Sequence, residues 1–222
     1  MELPDGWVFG GIPDLRPCRA TYCTYPTATL PPLPEDEFRG DFAWLPEASG
    51  DIEWAISKSA DRPFEPLTLD QLADEAAARG YGLASSFVGF MTRSELHRRV
   101  RSFTGCWLDL GETLAHHPAV DGGLVRFLND QQGAVFWHLV VGSTGDGGVV
   151  ATDRMLDIDQ GGEPDEPGAW AYRCAPSFEA FVYRFWIENE LCFTAGSTRR
   201  RDRRLIEYAA RLDELMHPEE GP

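Results

Sequence analysis

The residues best suited to chemistry are two adjacent histidines, His116 and His117, which follow Asp109 and Glu112 in the chain. Imidazole and carboxylate groups bind metals and transfer protons near neutral pH. However, neighbouring side chains usually point apart, and the H-E-x-x-H pattern that places two ligands on one helix face is absent. We therefore expect a surface loop before Pro118. The alternative is a small hydrolase or metal-dependent enzyme that uses these histidines and carboxylates.

A second stretch with many carboxylates is the Gly- and Pro-rich segment of residues 153–168. Asp153, Asp157 and Asp159 surround a turn and could converge on magnesium or calcium, but the spacing of an EF-hand loop is missing. We predict a solvated loop that faces a binding partner, because rim carboxylates speed the encounter with a basic protein. The residues assigned to partner binding are Asp157, Asp159, Glu163, Asp165 and Glu166.

Motifs for nucleotide or cofactor binding are not found. Lys58 is the only lysine, and no glycine run precedes it, so it does not complete a phosphate-binding G-x-x-x-x-G-K-[ST] loop. The Gly-rich residues 142–148 precede an apolar run rather than a helix, which is typical of a hairpin turn. His138 lies within a predicted strand and is expected on a strand face. The sequence thus predicts no catalytic residue, no metal and no cofactor.

The chain carries a formal charge of −16, and residues 196–222 are balanced, so the excess of carboxylates lies in residues 1–195. Such a field repels nucleic acid and anionic lipid and attracts a basic protein. A surface kept soluble by carboxylates is the simpler explanation. The basic residues 199–204 are expected to pair with the protein's own carboxylates or to lie on the solvated start of the last helix.

Cysteines are odd in number and show no C-x-x-C spacing, so the sequence predicts neither a disulfide framework nor a zinc site. Two of them, Cys106 and Cys192, lie within apolar runs and are expected to be small buried hydrophobic residues. The five are Cys18, Cys23, Cys106, Cys174 and Cys192.

Residues 1–66 differ in amino-acid composition from the rest of the chain. Eight of the sixteen prolines lie in residues 1–50, together with aromatic residues that disordered segments usually lack. We predict an irregular, proline-rich arm that packs on a main domain of residues 67–222. Periodicity in that domain predicts helices from 67 to 80 (with a Thr68–Gln71 capping box), near 83–91, from 177 and from 199, and strands at 105–110, 124–128, 135–141 and 149–152.

The helix that begins near Ser177 carries a broad aromatic stripe, and the strand at 135–141 contains a tryptophan. Both patterns are typical of elements that pack in a core. We assign to the core between the sheet and this helix Trp137, Phe181, Phe185 and Trp186.

Residues 68–193 resemble the SUKH superfamily in the order of their elements. The resemblance rests on the capped helix and on the segments Ala84-Ser-Ser-Phe-Val-Gly-Phe-Met91, Arg126-Phe-Leu-Asn-Asp-Gln-Gln132, Phe136-Trp-His-Leu139, Val149-Val-Ala-Thr152 and Ser177-Phe-Glu-Ala-Phe181. It implies an α+β fold with a central, mostly antiparallel sheet flanked by helices. Many proteins of this superfamily are bacterial immunity proteins that bind toxins, and others are tied to cell-wall regulation.

The function expected from the sequence is therefore non-enzymatic protein binding, in particular immunity against a basic toxin such as a nuclease. The sequence contains no run of about 18 apolar residues, so it predicts no membrane helix. The N-terminal residues show no basic segment followed by an apolar one, so we expect a cytoplasmic protein. The oligomeric state is left open.

Overall fold

The computed structural model describes residues 2–47, 52–57, 66–143, 145, 147–157, 170–195 and 202–217. Its strands are β1 (Trp7–Phe9), β2 (Cys23–Tyr25), β3 (Trp107–Leu108), β4 (Gly123–Asn129), β5 (Phe136–Val141), β6 (Val149–Thr152) and β7 (Ala171–Ala175). Its α-helices are α1 (Pro66–Ala78), α2 (Ser85–Met91), α3 (Ser94–His97), α4 (Phe178–Thr194) and α5 (Arg203–Met216). This content confirms the predicted α+β class. No helix within these ranges is long and apolar enough to cross a membrane.

Strands β3 to β7 form one sheet in sequence order, and each is antiparallel to its neighbour. Alternating and apolar runs made β4, β5 and β6 predictable. A bulge between Arg126 and Leu128 shifts the register of β4 against β5. Strand β7 was not predicted, because its residues, Ala-Tyr-Arg-Cys-Ala, contain a single strong strand former.

Helix α4 covers one face of this sheet and forms the centre of the core. The four predicted core residues are at most 2% exposed, but the ring of Trp186 contacts Trp44 of the N-terminal segment and Arg204 of α5 rather than the sheet. Trp137 of β5 contacts α4 through Phe181 and Phe185, with ring centroids 6.3 and 6.1 Å apart. The helix begins where the Ser177 side chain accepts a hydrogen bond from the N–H of Ala180, which satisfies a free donor of the first turn.

Two predicted helix starts are wrong. Helix α1 begins at Pro66, so Thr68 lies within its first turn and not at the N-cap position. Proline suits this first position because its fixed φ is helical and its missing N–H would have no partner there. Helix α5 begins at Arg203 rather than near 199, because Asp202 caps it by accepting the Arg204 N–H.

The segment predicted as an irregular arm contains regular structure. Strands β1 and β2 pair in an antiparallel hairpin, and Trp7 and Phe9 of β1 belong to the same hydrophobic core as α4. The segment also lies along both edges of the five-stranded sheet. Residues 4–6 bond to Arg173 of β7, and the carbonyl of Ile56 accepts the N–H of Leu108 in β3.

Cysteine pairing departs from the expectation. Cys18 and Cys23 form a disulfide across a Cα–Cα distance of 6.0 Å, because the turn that leads into β2 brings them together. Spacing alone did not reveal this turn, since five residues of chain can also run extended. The other cysteines, Cys106, Cys174 and Cys192, are free and buried, as expected for Cys106 and Cys192.

A charged group of α4, the Glu188 carboxylate, lies fully buried beside the guanidinium of Arg16. It accepts hydrogen bonds from Trp7 Nε1 at 2.7 Å, from both terminal nitrogens of Arg16 and from the Tyr208 hydroxyl at 2.6 Å. Burial raises the pKa of the Tyr208 phenol well above its usual value, which keeps it a donor. One carboxylate thus joins the N-terminal segment, α4 and α5.

Replacing Glu188 with glutamine should destabilise the protein by roughly 3–5 kcal/mol, because the variant leaves the Arg16 guanidinium buried without a counter-charge. Urea unfolding followed by circular dichroism measures the change. The control is Glu207→Gln, which removes an exposed pair with Arg203 and should leave the midpoint unchanged. Wild-type stability in Glu188→Gln would show that this ion pair does not hold the segments together.

Candidate functional site

The sheet face opposite α4 carries a polar cluster centred on Arg126 of β4. The guanidinium donates to both carboxylate oxygens of Asp157 at 2.8 and 2.9 Å, to Asp109 at 2.6 Å and to the side chain of Asn129 at 3.0 Å. The Arg126 side chain is only 6% exposed. Because its donors are shared among these acceptors, this arginine holds the chain segments around it and is not available to a ligand.

Asp157 is therefore not the solvated loop residue that the sequence predicted. Its side chain is 4% exposed and paired with Arg126, so its carboxylate offers little surface to a partner. The ion pair was not predictable, because the position of Arg126 in a strand does not indicate which carboxylate it binds. The other predicted partner-binding residues, Asp159, Glu163, Asp165 and Glu166, lie outside the described residues.

The residues of the enzyme alternative are exposed or engaged in other contacts in the part of the chain that the structure describes. Asp109 is bound to Arg126 and Asn129, while Glu112 and His116 are exposed. His117 is half-buried and accepts the N–H of Ala119 at Nδ1. Within the described ranges no three His, Cys, Asp or Glu side chains are grouped as metal ligands.

His138 lies directly opposite Arg126 in the β4–β5 ladder and is fully buried. Neither ring nitrogen has a hydrogen-bond partner among the described residues. Burial lowers the pKa of His138 to about 3, so the imidazole is neutral at pH 7. His138 is therefore neutral, buried and next to an arginine whose donors are already bound. We assign it a structural role, and its protonation should destabilise the fold.

Acidification should destabilise the protein through His138. The unfolded histidine takes up a proton near pH 6.5, whereas the folded one remains neutral down to about pH 3. The stability present above pH 6.5 is therefore lost as the pH falls, by about 2 kcal/mol between pH 7.5 and 5.0. Burial also lowers the pKa of His97, which adds a loss of the same sign.

Urea midpoints at the two pH values measure this loss for the wild type and for His138→Gln. The variant should be less sensitive to pH because it lacks the titrating group. His116→Gln, which changes an exposed histidine, is the control and should keep the wild-type sensitivity. Equal pH dependence in all three proteins would contradict the role given to His138.

Aromatic side chains form a surface cluster at the end of α4. Trp54 and Phe103 are 42% and 47% exposed, and each contacts Phe193, with ring centroids 5.9 and 5.5 Å apart. The Phe103 backbone is fixed because its N–H donates to Asn189 of α4 at 2.7 Å, and the Trp54 carbonyl accepts the Ser102 N–H at 2.8 Å. We call Trp54, Phe103 and Phe193 the aromatic surface.

A depression adjoins this surface, and its walls come from the segments that hold Trp54 and the approach to β3. Gly105, with a φ of +73°, lies at its edge, where a Cβ would come within 2.5 Å of the Gln131 side-chain oxygen. The positive φ favours glycine at this position, whereas the exposed Gln131 side chain could move to make space. The lining residues are Glu53, Trp54, Ala55, Gly105, Cys106 and Gln131.

Sequence reasoning did not find the aromatic surface. Trp54 and Phe103 lie in short irregular segments, where no period distinguishes a buried aromatic residue from an exposed one. Phe193 lies near the end of α4, where helical spacing alone does not distinguish a core position from a surface one.

Comparison with known proteins adds no relative: searches of protein-family models, of curated proteins and of solved structures returned no match.

Proposed function

We propose that this chain is a non-enzymatic protein-binding module, an immunity-type protein that neutralises a basic toxin such as a nuclease. The observation that carries the proposal is the aromatic surface on a protein of charge −16. Exposed aromatic groups that share contacts are typical of the centres of protein interfaces, where they bury much area at little entropic cost. The negative charge suits a basic partner.

The SUKH resemblance supports the same proposal from a different direction. It implies an antiparallel sheet flanked by helices, and the five-stranded sheet covered by α4 is compatible with that arrangement. Since one fold supports many functions, the resemblance adds only the class of activity, and the surface supplies the site. The carboxylates of the loop after Asp157 would then speed encounter rather than form the centre of the interface.

The first test uses the product of the neighbouring gene as the candidate partner. Trp54→Ser with Phe103→Ser should weaken binding at least about 30-fold, because exposed aromatic hot spots contribute about 2 kcal/mol or more to an interface. Isothermal titration calorimetry measures the dissociation constant. This double variant should remain folded with an unfolding midpoint only slightly below that of the wild type, because the two residues are 42% and 47% exposed.

The matched control removes two exposed aliphatic groups from α5, Ile206 and Leu215, which are 54% and 40% exposed. Ile206→Ser with Leu215→Ser should bind as the wild type does. If the neighbouring product does not bind the wild type, or if the control weakens binding as much as the aromatic variant, the proposed role of the aromatic surface is wrong.

The proposal includes residence in the cytoplasm. Disulfides rarely persist there, because glutathione and thioredoxin keep thiols reduced. We therefore expect Cys18 and Cys23 to be thiols in growing cells and to form the disulfide on oxidation. Acid quenching, alkylation of denatured protein and mass spectrometry should find all five cysteines alkylated. Only three modified cysteines, Cys106, Cys174 and Cys192, would place the protein in an oxidising compartment.

A further inference from the structure

The depression beside the aromatic surface combines two groups that attract cations. Trp54 lines it, and 42% of the surface of this residue is exposed. Glu53 also lines it, is exposed, and forms no ion pair with any residue that the structure describes. A partly exposed tryptophan and an unpaired carboxylate at the same depression are the elements of a cation site.

The same surface already contains a cation bound in this way. The guanidinium of Arg101 lies 4.1 Å above the ring of Phe193 and donates to both oxygens of Glu190 at 2.8 and 2.6 Å. An aromatic ring and a carboxylate thus hold one guanidinium from two sides. Trp54 contacts Phe193 in the neighbouring position, and Glu53 lines the same depression as Trp54. Trp54 and Glu53 repeat this pair of groups, and among the described residues no arginine pairs with Glu53 or stacks on Trp54.

We propose that the depression binds an arginine side chain of the partner, with the guanidinium stacked on Trp54 and paired with the Glu53 carboxylate. Guanidinium suits the site better than ammonium because it is planar, stacks on aromatic rings and presents a fork of donors. Gln131 offers a further acceptor, since its side-chain oxygen lies at the edge formed by Gly105. This assignment rests on the proposed function for the existence of the partner but is testable without it.

The probe is N-acetyl-arginine amide, titrated into the full-length protein while ¹H–¹⁵N spectra are recorded. The backbone signal of Gly105 and the side-chain amide of Gln131 should shift and saturate. Glu53→Gln should weaken binding roughly fivefold and Trp54→Leu by a similar factor, because each removes one of the two attractions. Glu112→Gln, which neutralises an exposed carboxylate elsewhere, should bind the probe as the wild type does.

N-acetyl-lysine amide carries the same charge without the planar fork and should bind at least about threefold more weakly. The assignment is overturned if the Gly105 signal does not move, if Glu53→Gln and Glu112→Gln respond alike, or if the two probes bind equally. A positive titration together with no binding of the neighbouring gene product would contradict only the proposed function. Partner binding that needs Trp54, without a response to the probe, would contradict only the arginine site.

Discussion

The arrangement of the chain depends on a buried ion pair between Arg16 and Glu188, which are 172 positions apart. Removing two charges from water is unfavourable, and the attraction between them offsets this only when the geometry and the remaining hydrogen bonds are well satisfied. Trp7 and Tyr208 supply those bonds to the carboxylate, while Nε of Arg16 has no partner among the described residues. The pair can therefore form only when β1, the following turn, α4 and α5 are all in place, which makes their assembly mutually dependent.

Other polar side chains of α4 also accept hydrogen bonds from distant segments of the chain. Glu179 accepts the N–H of Gly40 at 2.6 Å and the indole N–H of Trp44 at 2.8 Å, and Asn189 accepts the N–H of Phe103. Each side chain thus fixes a segment that has little regular structure of its own. The helix combines an apolar stripe for the sheet with specific acceptors for the irregular segments, and the aromatic surface is positioned by the same contacts.

The parts of the fold that depend on local period were predictable. Strands β4 to β6 and helix α4 follow from alternation and from a helical stripe, and Trp137, Phe181, Phe185 and Trp186 lie where that stripe places them. The parts that depend on distant partners were not. Asp157 is buried because of Arg126, β1 is ordered by packing on α4, and the Cys18–Cys23 bond follows from a turn. The aromatic surface belongs to this second group, since exposure is decided by what the rest of the chain covers.

The occupied edges of the central sheet limit how another protein can approach it. An open edge strand offers unpaired N–H and C=O groups, which lets a foreign strand join and lets identical molecules stack. Here residues 4–6 lie along β7 and Ile56 bonds to β3, so the chain satisfies part of both edges itself. Where the edges are covered in this way, another protein can contact side chains but cannot add a strand. A shortened chain that lacks residues 2–6 would expose β7 and acquire a tendency to self-associate.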